Sequence, residues 1–364
     1  MSIRVLHVID HLGYGGAPIV VKNIVEQTND QHIKTFVCAL RTNPAAIPIE
    51  TTLFSLTYRR YNPCTIFAIA KLCKKYKIDI IHAHLQKSII SSLLASFFCE
   101  CAVVVHIHGG VFLKGMSFFL YRQLLRLLRG RASVFIANSI ATVQKLVKRI
   151  KVSWDQIELL YNPVDFSVFE QRPGCREEMR GGWTVKKGDI VLGYAGRLHK
   201  VKGVDLLIEA FALLLQRSSN YLLLLAGDGP ERVRLEGLAR RLGVADKTRF
   251  LGMCEDVAGV MSGFDIGVVP SRHEPFGIVA VELMRMKVPI VSSGADGLAE
   301  LVHDGETGVV TRENSPQEIC RGIERLMENE KLRKQVVEAA YDFSKQFGIK
   351  EYVNKIQKIY ECVL

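Results

Sequence analysis

Apolar residues along this chain fall into short uninterrupted runs that alternate with longer amphipathic stretches. In the first half the runs cover 3–9, 34–40, 78–83, 102–107 and 132–137, with stretches of helical period between them. Runs of this kind are typical of strands buried on both faces of a parallel sheet. Pro18 is well placed for the first turn of the first helix. The pattern therefore predicts an α/β fold, with a parallel sheet covered by helices on both faces.

The alternation stops between Asn162 and Asp189, a stretch that contains four of the chain's glycines and two prolines. It resumes at Ile190 and continues to about Leu326, and the remaining residues have a helical pattern. A chain of 364 residues favours two domains. We predict an N-terminal domain at 1–165, an interdomain connection at 166–188, a second domain at 189–346 and a final helix at 347–364.

Two carboxylates, Glu274 and Glu282, lie eight positions apart, immediately after an apolar strand pattern. If a helix begins near Gly277, both can face one crevice, with Glu282 about two turns into the helix. The amides and the positive dipole end at this helix start, formed by Phe276, Gly277, Ile278 and Val279, suit a phosphate. Such an arrangement would suit a nucleotide-sugar, with one acid on sugar hydroxyls and one on a ribose. An acidic cap followed by a solvated glutamate is the alternative.

Basic and glycine residues follow the neighbouring predicted strands. Gly196 and Arg197 end the run at 190–195, and Lys202 opens the next helix. Arginine supplies a planar fork and lysine a point charge, a suitable pair for a diphosphate. Gly227 and Gly252 end two further runs. These turns all follow the carboxyl ends of parallel strands, where open α/β sheets bind ligands.

The first strand is followed by a glycine-rich loop that contains Gly13, Gly15 and Gly16. It fails as a dinucleotide fingerprint, because Pro18 stands at the sixth position. Two His-x-His pairs, 82/84 and 106/108, end two later strands. Alternate residues of a strand share a face, so such pairs can chelate zinc. Packing and hydrogen bonding at strand ends is the preferred interpretation, and we predict no metal.

In this combination the chain resembles the retaining glycosyltransferases of family 4, and the resemblance covers essentially its whole length. It rests on motifs in family order and spacing: Gly196-Arg197-Leu198, Lys202-Gly203, Gly227-Asp228-Gly229-Pro230, Glu274-Pro275-Phe276-Gly277, Glu282 and His303-Asp304-Gly305-Glu306-Thr307-Gly308. The resemblance implies the GT-B architecture, with two Rossmann-like domains facing a cleft and a C-terminal helix that crosses back to the first domain.

The resemblance also implies roles for individual residues. Arg197 and Lys202 neutralise the donor diphosphate, Glu274 contacts the donor sugar and Glu282 the ribose. His108 matches the family histidine near the donor sugar. The glycine loop at Gly15 and Gly16 approaches the diphosphate, although Pro18 stands where those enzymes often carry a glutamate.

The activity implied is the retaining transfer of a hexose-type or N-acetylhexosaminyl sugar from a nucleotide diphospho-sugar, most simply a UDP-sugar. The donor is a substrate, so no cofactor is expected. No Asp-x-Asp, the feature of metal-dependent glycosyltransferases of the other major fold, occurs in the chain. A nucleotide-sugar epimerase or a phosphorylase of the same fold is the alternative.

The two halves of the chain differ in net charge. Residues 1–165 hold 20 Lys and Arg against 9 Asp and Glu, so this half carries the whole net charge of +11. Residues 101–154 contain no acid and nine basic residues. A positive electrostatic field over this half of the chain favours an anionic binding partner. No recognition-helix or base-stacking motif supports nucleic acid as that partner.

The segment 116–131 is the best membrane candidate. Arg122, Arg126 and Arg129 form a basic stripe beside phenylalanines and leucines. Such a helix can lie in an anionic membrane interface. It can equally pack its apolar face on the sheet, and both alternatives stay open. We expect a lipid-linked or otherwise anionic acceptor of polysaccharide or glycolipid assembly; a soluble enzyme with a small-molecule acceptor is the alternative.

The first residues and the cysteines of the chain indicate its cellular compartment. Residues 1–9 enter a strand directly and lack the features of a signal peptide. No apolar run is long enough to span a bilayer. Nine scattered cysteines without a Cys-x-x-Cys pair favour reduced thiols over disulfides or a zinc site. We expect a cytoplasmic enzyme, peripheral at the inner face of the membrane if 116–131 binds lipid.

Overall fold

The computed structural model describes residues 2–13, 15–28, 32–42, 47–56, 62–109 and 115–364. The chain divides into two compact units. Unit 1 comprises residues 1–163 together with 349–364, and unit 2 comprises residues 164–348.

Among its described residues, unit 1 contains a parallel seven-stranded sheet of order β3-β2-β1-β4-β5-β6-β7. The strands are β1 (Ile3–Ile9), β2 (Ile33–Ala39), β3 (Thr52–Ser55), β4 (Ile80–His84), β5 (Ala102–Ile107), β6 (Val134–Ala137) and β7 (Ile157–Leu159). The helices are α1 (Gly16–Thr28), α2 (Cys64–Tyr76), α3 (Gln86–Ala95), α4 (Met116–Leu128), α5 (Ile140–Lys145) and, from the end of the chain, α13 (Ile349–Cys362).

The central strands of unit 1 are buried on both faces. Every residue of β4 and of β6 is buried, as are all but the first residue of β5. Burial on both faces explains why their sequences read as continuous apolar runs rather than as alternating patterns. The prediction of a parallel sheet is confirmed. The edge strands β3 and β7 were not predicted, because they are short and largely exposed.

The last helix, α13, belongs to unit 1, which confirms that the chain crosses back to its first domain. α13 packs against α1. Its Tyr360 is fully buried, and the Tyr360 hydroxyl lies 2.7 Å from Nδ1 of His82 in β4. This residue joins the end of the chain to the centre of the first sheet.

Unit 2 contains, among its residues, a parallel six-stranded sheet of order β10-β9-β8-β11-β12-β13. The strands are β8 (Ile190–Ala195), β9 (Tyr221–Ala226), β10 (Thr248–Gly252), β11 (Ile266–Val269), β12 (Ile290–Ser292) and β13 (Val309–Val310). The helices are α6 (Cys175–Gly182), α7 (Val204–Arg217), α8 (Arg232–Arg241), α9 (Val257–Ser262), α10 (Ile278–Arg285), α11 (Pro316–Glu328) and α12 (Glu330–Ser344). Two parallel-sheet α/β units confirm the predicted fold class.

The stretch 166–188, which we predicted as an interdomain connection, lies within unit 2 instead. It contains α6, whose Arg180 donates to Oδ2 of Asp265 at 2.8 Å and to the Asp189 carbonyl at 2.7 Å. Gly174 has a positive φ of 74° and precedes the helix, and Gly182 is its last residue. The glycines that suggested a linker therefore mark the two ends of a packed helix.

Candidate functional site

The loops that follow β8 and β9 touch backbone to backbone. A Cβ at Gly227 would lie 2.0 Å from the Gly196 carbonyl oxygen, and one at Gly229 would lie 2.3 Å from the Leu198 carbonyl oxygen. The Leu198 amide donates to the Asp228 carbonyl at 2.9 Å. Only glycine allows this approach, so the two loops form one rigid layer at the carboxyl edge of the sheet.

A third glycine extends this layer to the neighbouring strand. The Gly227 amide donates to the Gly252 carbonyl at 2.7 Å, and Gly252 has a φ of 72°. Gly196, Gly227 and Gly252 therefore end three adjacent strands and lie next to one another. The carboxyl edge of such a sheet is where a ligand is expected.

Lys202 and Glu274 form an ion pair between two neighbouring loops. The Lys202 ammonium lies 2.5 Å from Oε2 of Glu274, a carboxylate that is only 7% exposed. Ser271, which the sequence did not single out, donates from its hydroxyl to the same oxygen at 3.1 Å. A buried carboxylate requires such partners, because leaving it unpaired is costly.

Backbone contacts fix the two loops that carry this pair. The Arg272 amide donates to the Val201 carbonyl at 2.7 Å, and the Arg272 guanidinium forms a fork with Asp205 at 2.7 and 3.1 Å. A Cβ at Gly203 would lie 2.0 Å from the Pro270 carbonyl oxygen. Lys202 is therefore positioned by rigid backbone on either side.

Arg197 differs from Lys202, because its side chain is exposed and pairs with no residue that the structure describes. Its backbone is nevertheless held, since the Tyr194 hydroxyl donates to the Arg197 carbonyl at 2.9 Å. A fixed backbone with an available guanidinium is suited to bidentate binding of a phosphate.

The start of α10 supplies further donors. The helix begins at Ile278, after Gly277 with a φ of 106°. A Cβ at Gly277 would lie 2.5 Å from Cδ2 of Leu298, so glycine is required there. Within the described chain, the amides of Gly277, Ile278 and Val279 have no hydrogen-bond acceptor. Three amides without acceptors at a helix N-terminus are suited to an anion.

The side chain of Phe276, at the start of α10, is buried in unit 2. Its side chain is 1% exposed and packs edge-on against Phe347, with ring centroids 5.8 Å apart. The ring therefore belongs to the core of unit 2 and anchors the start of α10. The side chain is not available to a ligand, and the prediction for Phe276, which concerned its backbone amide, stays a prediction.

Glu282 is the fifth residue of α10, so it lies in the second helical turn, closer to the helix start than predicted. It is half-buried, and none of the described residues forms a hydrogen bond or an ion pair with its carboxylate. Burial raises the pKa of Glu282 to about 7. A half-buried carboxyl group without a protein partner is suited to a ligand that supplies hydroxyl groups.

In unit 1, the predicted loop leads into α1, which begins at Gly16 directly after Gly15, two residues before Pro18. His108 follows the end of β5. Its Nε2 lies 2.9 Å from Nδ1 of His84, and Nε2 of His84 lies 3.1 Å from Nδ1 of His7. Burial lowers the pKa of His108 to about 3, so it is a neutral imidazole near pH 7.

The remaining histidines pack against this row. His82 and His106 stack with centroids 5.4 Å apart, and both are fully buried. This packing is the arrangement that we preferred for the His-x-His pairs. Ring nitrogens nevertheless lie within 4.8 Å of one another in two groups of three, His7/His82/His84 and His84/His106/His108. The absence of a metal therefore stays a prediction.

The helix α4, within 116–131, buries one face and exposes the other, and its membrane role stays a prediction. Tyr121, Leu125 and Leu128 are buried against the sheet. The opposite side exposes Met116 (74%), Phe119 (47%), Leu120 (55%), Leu124 (45%) and Leu127 (79%). Arg126 is exposed, and Arg122 and Arg129 are half-buried. Among the helices described, none combines the length and the apolarity needed to cross a membrane.

Two family models match the chain, and together they span most of it. A model of family 4 glycosyltransferases matches residues 14–168, and a model of group 1 glycosyl transferases matches residues 176–343.

Curated relatives fall into the same class. The chain is 25% identical to the N-acetyl-alpha-D-glucosaminyl L-malate synthase of Bacillus anthracis over 353 residues, which is 94% of this chain and 92% of that enzyme. It is 36% identical to the alpha-D-kanosaminyltransferase of Streptomyces kanamyceticus over 167 residues, which is 45% of this chain and 43% of that enzyme. The second match therefore spans less than half the length of the relative.

Solved structures share the fold across the whole chain. HepE of Anabaena, in a complex with UDP and glucose, superposes with a TM-score of 0.85 at 24% identity, covering 99% of this chain and 100% of HepE. WaaG, a glycosyltransferase involved in lipopolysaccharide biosynthesis, superposes with a TM-score of 0.80 at 19% identity, covering 98% of this chain and 99% of WaaG. The chain therefore belongs to the family 4 glycosyltransferases of GT-B fold and is an enzyme that transfers sugar from a nucleotide-sugar donor.

Proposed function

We propose that this enzyme moves a hexose-type sugar from a UDP-linked donor to a lipid-linked or polysaccharide precursor at the cytoplasmic face of the membrane, with retention and without a metal. The observation that carries the donor half of the proposal is the Lys202–Glu274 pair, which lies on neighbouring strand ends with Arg197 and the α10 start. These groups supply two cations, a carboxylate and unpaired amides at one sheet edge.

The cations bind the diphosphate in this proposal. Transfer releases UDP, so negative charge develops on the phosphate oxygen that leaves the sugar. Lys202 is held by Glu274 and Arg197 is held through its backbone, so both cations stabilise that charge with little reorganisation. The amides of Gly277, Ile278 and Val279 supply neutral donors for the same anion. Two fixed cations therefore take the place that a divalent ion has in metal-dependent transfer.

Glu274 is placed to accept from the donor sugar. Its Oε2 already accepts from Lys202 and Ser271. Its Oε1 accepts no hydrogen bond from the described residues, so this oxygen is available to a sugar hydroxyl. Lys202 thus links the two substrate contacts, since it binds Glu274 and retains donors for a phosphate.

Glu282 would bind the ribose. Ribose hydroxyls that donate to the ionised carboxylate favour its charged form, which counteracts the effect of burial on its pKa. UDP should therefore bind more tightly as the pH rises through the Glu282 pKa of about 7.

The exposed stripe on α4 supports the membrane half of the proposal. Five large apolar side chains face solvent beside Arg126, on the unit that carries the net positive charge. Apolar residues next to arginines fit an anionic lipid surface better than a neutral one. Each basic residue near such a surface contributes about 1 kcal/mol, so a few suffice for reversible recruitment.

A panel of nucleotide diphospho-sugars, tested by thermal shift and calorimetry, examines the donor assignment. UDP-sugars should raise Tm and bind with one site per chain, and the hits should then be hydrolysed slowly without acceptor. NMR of the product should show the anomeric configuration of the donor sugar. Binding of no nucleotide-sugar, or an inverted product, would contradict the proposal.

A soluble enzyme with a small-molecule acceptor is the second candidate. It is favoured by the full-length similarity to the Bacillus anthracis enzyme, whose name gives L-malate as the partner of the sugar. Sedimentation with anionic and neutral vesicles separates the two candidates. Absence of vesicle binding, together with transfer to a soluble hydroxy acid, would select the second.

A further inference from the structure

Three thiols meet at one edge of unit 1, although they are distant in sequence. The Sγ atoms of Cys73, Cys99 and Cys101 all lie within 4.8 Å of one another. Cys73 is buried, and the other two are half-buried. The sequence showed only the close pair 99/101, because helix packing brings Cys73 to it.

Backbone hydrogen bonds hold the segments that carry Cys73 and Cys101 in place. Cys73 lies in the last turn of α2, where its carbonyl accepts from the Ile78 amide at 2.9 Å. Cys101 directly precedes β5, and the adjacent Ala102 amide donates to the Asp79 carbonyl at 2.9 Å. The Cys101 thiol also lies 3.1 Å from the Ile78 carbonyl. The Cys99 thiol lies 3.3 Å from the Ala95 carbonyl, so protein contacts hold all three sulfurs near one another before any ligand binds.

This geometry is close to that of a zinc site. With Zn–S bonds of about 2.3 Å, two sulfurs of a tetrahedral zinc lie about 3.8 Å apart. Sulfurs that already lie within 4.8 Å need to move inward by less than about 1 Å. Zinc with three protein ligands keeps one position for water or another small ligand, and the half-exposed Cys99 and Cys101 give that position access to solvent.

We propose that Cys73, Cys99 and Cys101 bind one Zn²⁺ ion as thiolates, with a water molecule as the fourth ligand. Three Zn–S bonds form, the three thiol protons pass to solvent, and zinc loses the corresponding waters. No electron is transferred. The complex carries a charge of minus one, which the nearby Lys74 and Arg131 cations offset at the Cys99 side.

The location separates this site from the residues that we assign to sugar transfer. Cys101 and the residues that fix it lie at the amino ends of β4 and β5, whereas His108 follows the carboxyl end of β5. The zinc would join the end of α2 to the connection between α3 and β5. It would stabilise unit 1 without contacting the residues that we assign to sugar transfer.

Titration of the reduced, metal-free protein with Co²⁺ tests the site, because cobalt reports its ligands spectroscopically. We expect one Co²⁺ per chain, with intense sulfur-to-cobalt absorption in the near ultraviolet that Zn²⁺ then abolishes. Zn²⁺ should also raise Tm and protect three thiols per chain from a thiol reagent. Cobalt bound by the histidine groups would lack the thiolate absorption.

Variants decide between a zinc site and three thiols that merely pack together. Cys101→Ser, at a half-buried position, should lose the thiolate absorption or weaken Zn²⁺ binding at least a hundredfold; Cys73→Ser should do the same. The exposed Cys64→Ser and Cys362→Ser are the matched controls and should bind as the parent does. Absent thiolate absorption in the parent protein, or equal binding by the Cys101→Ser protein, overturns the proposal.

Discussion

The Lys202 ammonium and the Glu274 carboxylate lie 2.5 Å apart, so a cation assigned to the diphosphate is held by the acid assigned to the sugar. Neither residue acts alone in this arrangement. A substitution at one changes the environment of the other, and their effects on transfer should not be additive.

Lys202→Ala should reduce the turnover number by two to three orders of magnitude. Loss of a fixed donor to developing charge costs roughly 3–4 kcal/mol, by analogy with an oxyanion hole. Initial rates with a UDP-sugar donor measure the effect. Lys200→Ala is the matched control, since Lys200 lies in the same turn and is exposed. Turnover near that of the parent in the Lys202→Ala enzyme would refute the assignment.

Lys202→Ala also leaves a buried carboxylate without its cation, so stability must be followed separately. The double variant Lys202→Ala/Glu274→Gln should recover the lost Tm, because the unpaired charge is gone. It should not recover activity. Recovery of both would mean that Lys202 has a structural role only.

The two acids should give different phenotypes. Glu274→Ala should mainly lower the turnover number, because its Oε1 faces the reacting sugar in our proposal. Glu282→Ala should mainly weaken binding, including that of free UDP. Kinetics combined with UDP calorimetry separate the effects, with the exposed Glu328→Ala as control. If both enzymes bind UDP and turn over alike, the division of roles is wrong.

Stability should depend on pH through Glu282. Its pKa is raised from 4.5 to about 7 in the folded protein, so the folded state binds this proton more tightly than the unfolded chain. The free energy of unfolding therefore falls as the pH rises from about 4.5 to 7, by at most about 3 kcal/mol.

Glu282→Gln removes that ionisation. Calorimetry without nucleotide should show that the Tm of Glu282→Gln exceeds the Tm of the parent by more at pH 8 than at pH 4.5. Glu328→Gln, on an exposed position, should show no such difference. If the Tm of the parent and the Tm of Glu282→Gln changed with pH in the same way, burial would not raise the pKa of Glu282.

Transfer should survive excess chelator, because Arg197 and Lys202 provide the positive charge at the diphosphate. Chelation should instead lower the Tm of unit 1 if the thiol site holds zinc. Activity and melting, measured on the same sample, distinguish the two effects. Complete loss of activity that metal restores would contradict metal independence and return attention to the buried histidine groups.

Replacing Arg122, Arg126 and Arg129 together by serine should weaken sedimentation with anionic vesicles and spare UDP affinity. The matched control replaces Lys148, Arg149 and Lys151, three exposed basic residues outside α4. Equal loss in the control would indicate diffuse attraction rather than a defined surface. Lower UDP affinity in the α4 variant would mean that the helix supports the fold and does not serve as a membrane surface.

The sequence predicted those parts of the fold whose signal is local. Continuous apolar runs identified the central strands, and the glycines after such runs placed Gly196, Gly227 and Gly252 at the carboxyl ends of strands. The order of the motifs placed Lys202 and Glu274 on loops that the structure joins. Local patterns suffice there because each glycine or charge acts where its own strand ends.

Tertiary packing decided the rest. Gly174 and Gly182 resemble linker residues until Arg180 is seen to bind Asp265. Ser271 is an ordinary loop serine until its hydroxyl meets Glu274. Cys73 joins the other thiols because α2 packs against α3, the helix that precedes Cys99 and Cys101, and no spacing along the chain expresses this relationship.

The hydrogen bond between Tyr360 and His82 has a consequence for synthesis on the ribosome. Domains generally fold as units during translation, beginning with the first to emerge. Here residues 1–163 emerge first, but α13, which completes their unit, follows only after all of unit 2. Unit 2 is contiguous and can therefore fold while the buried position of Tyr360 beside the first sheet is still unfilled. The unit synthesised first is completed last.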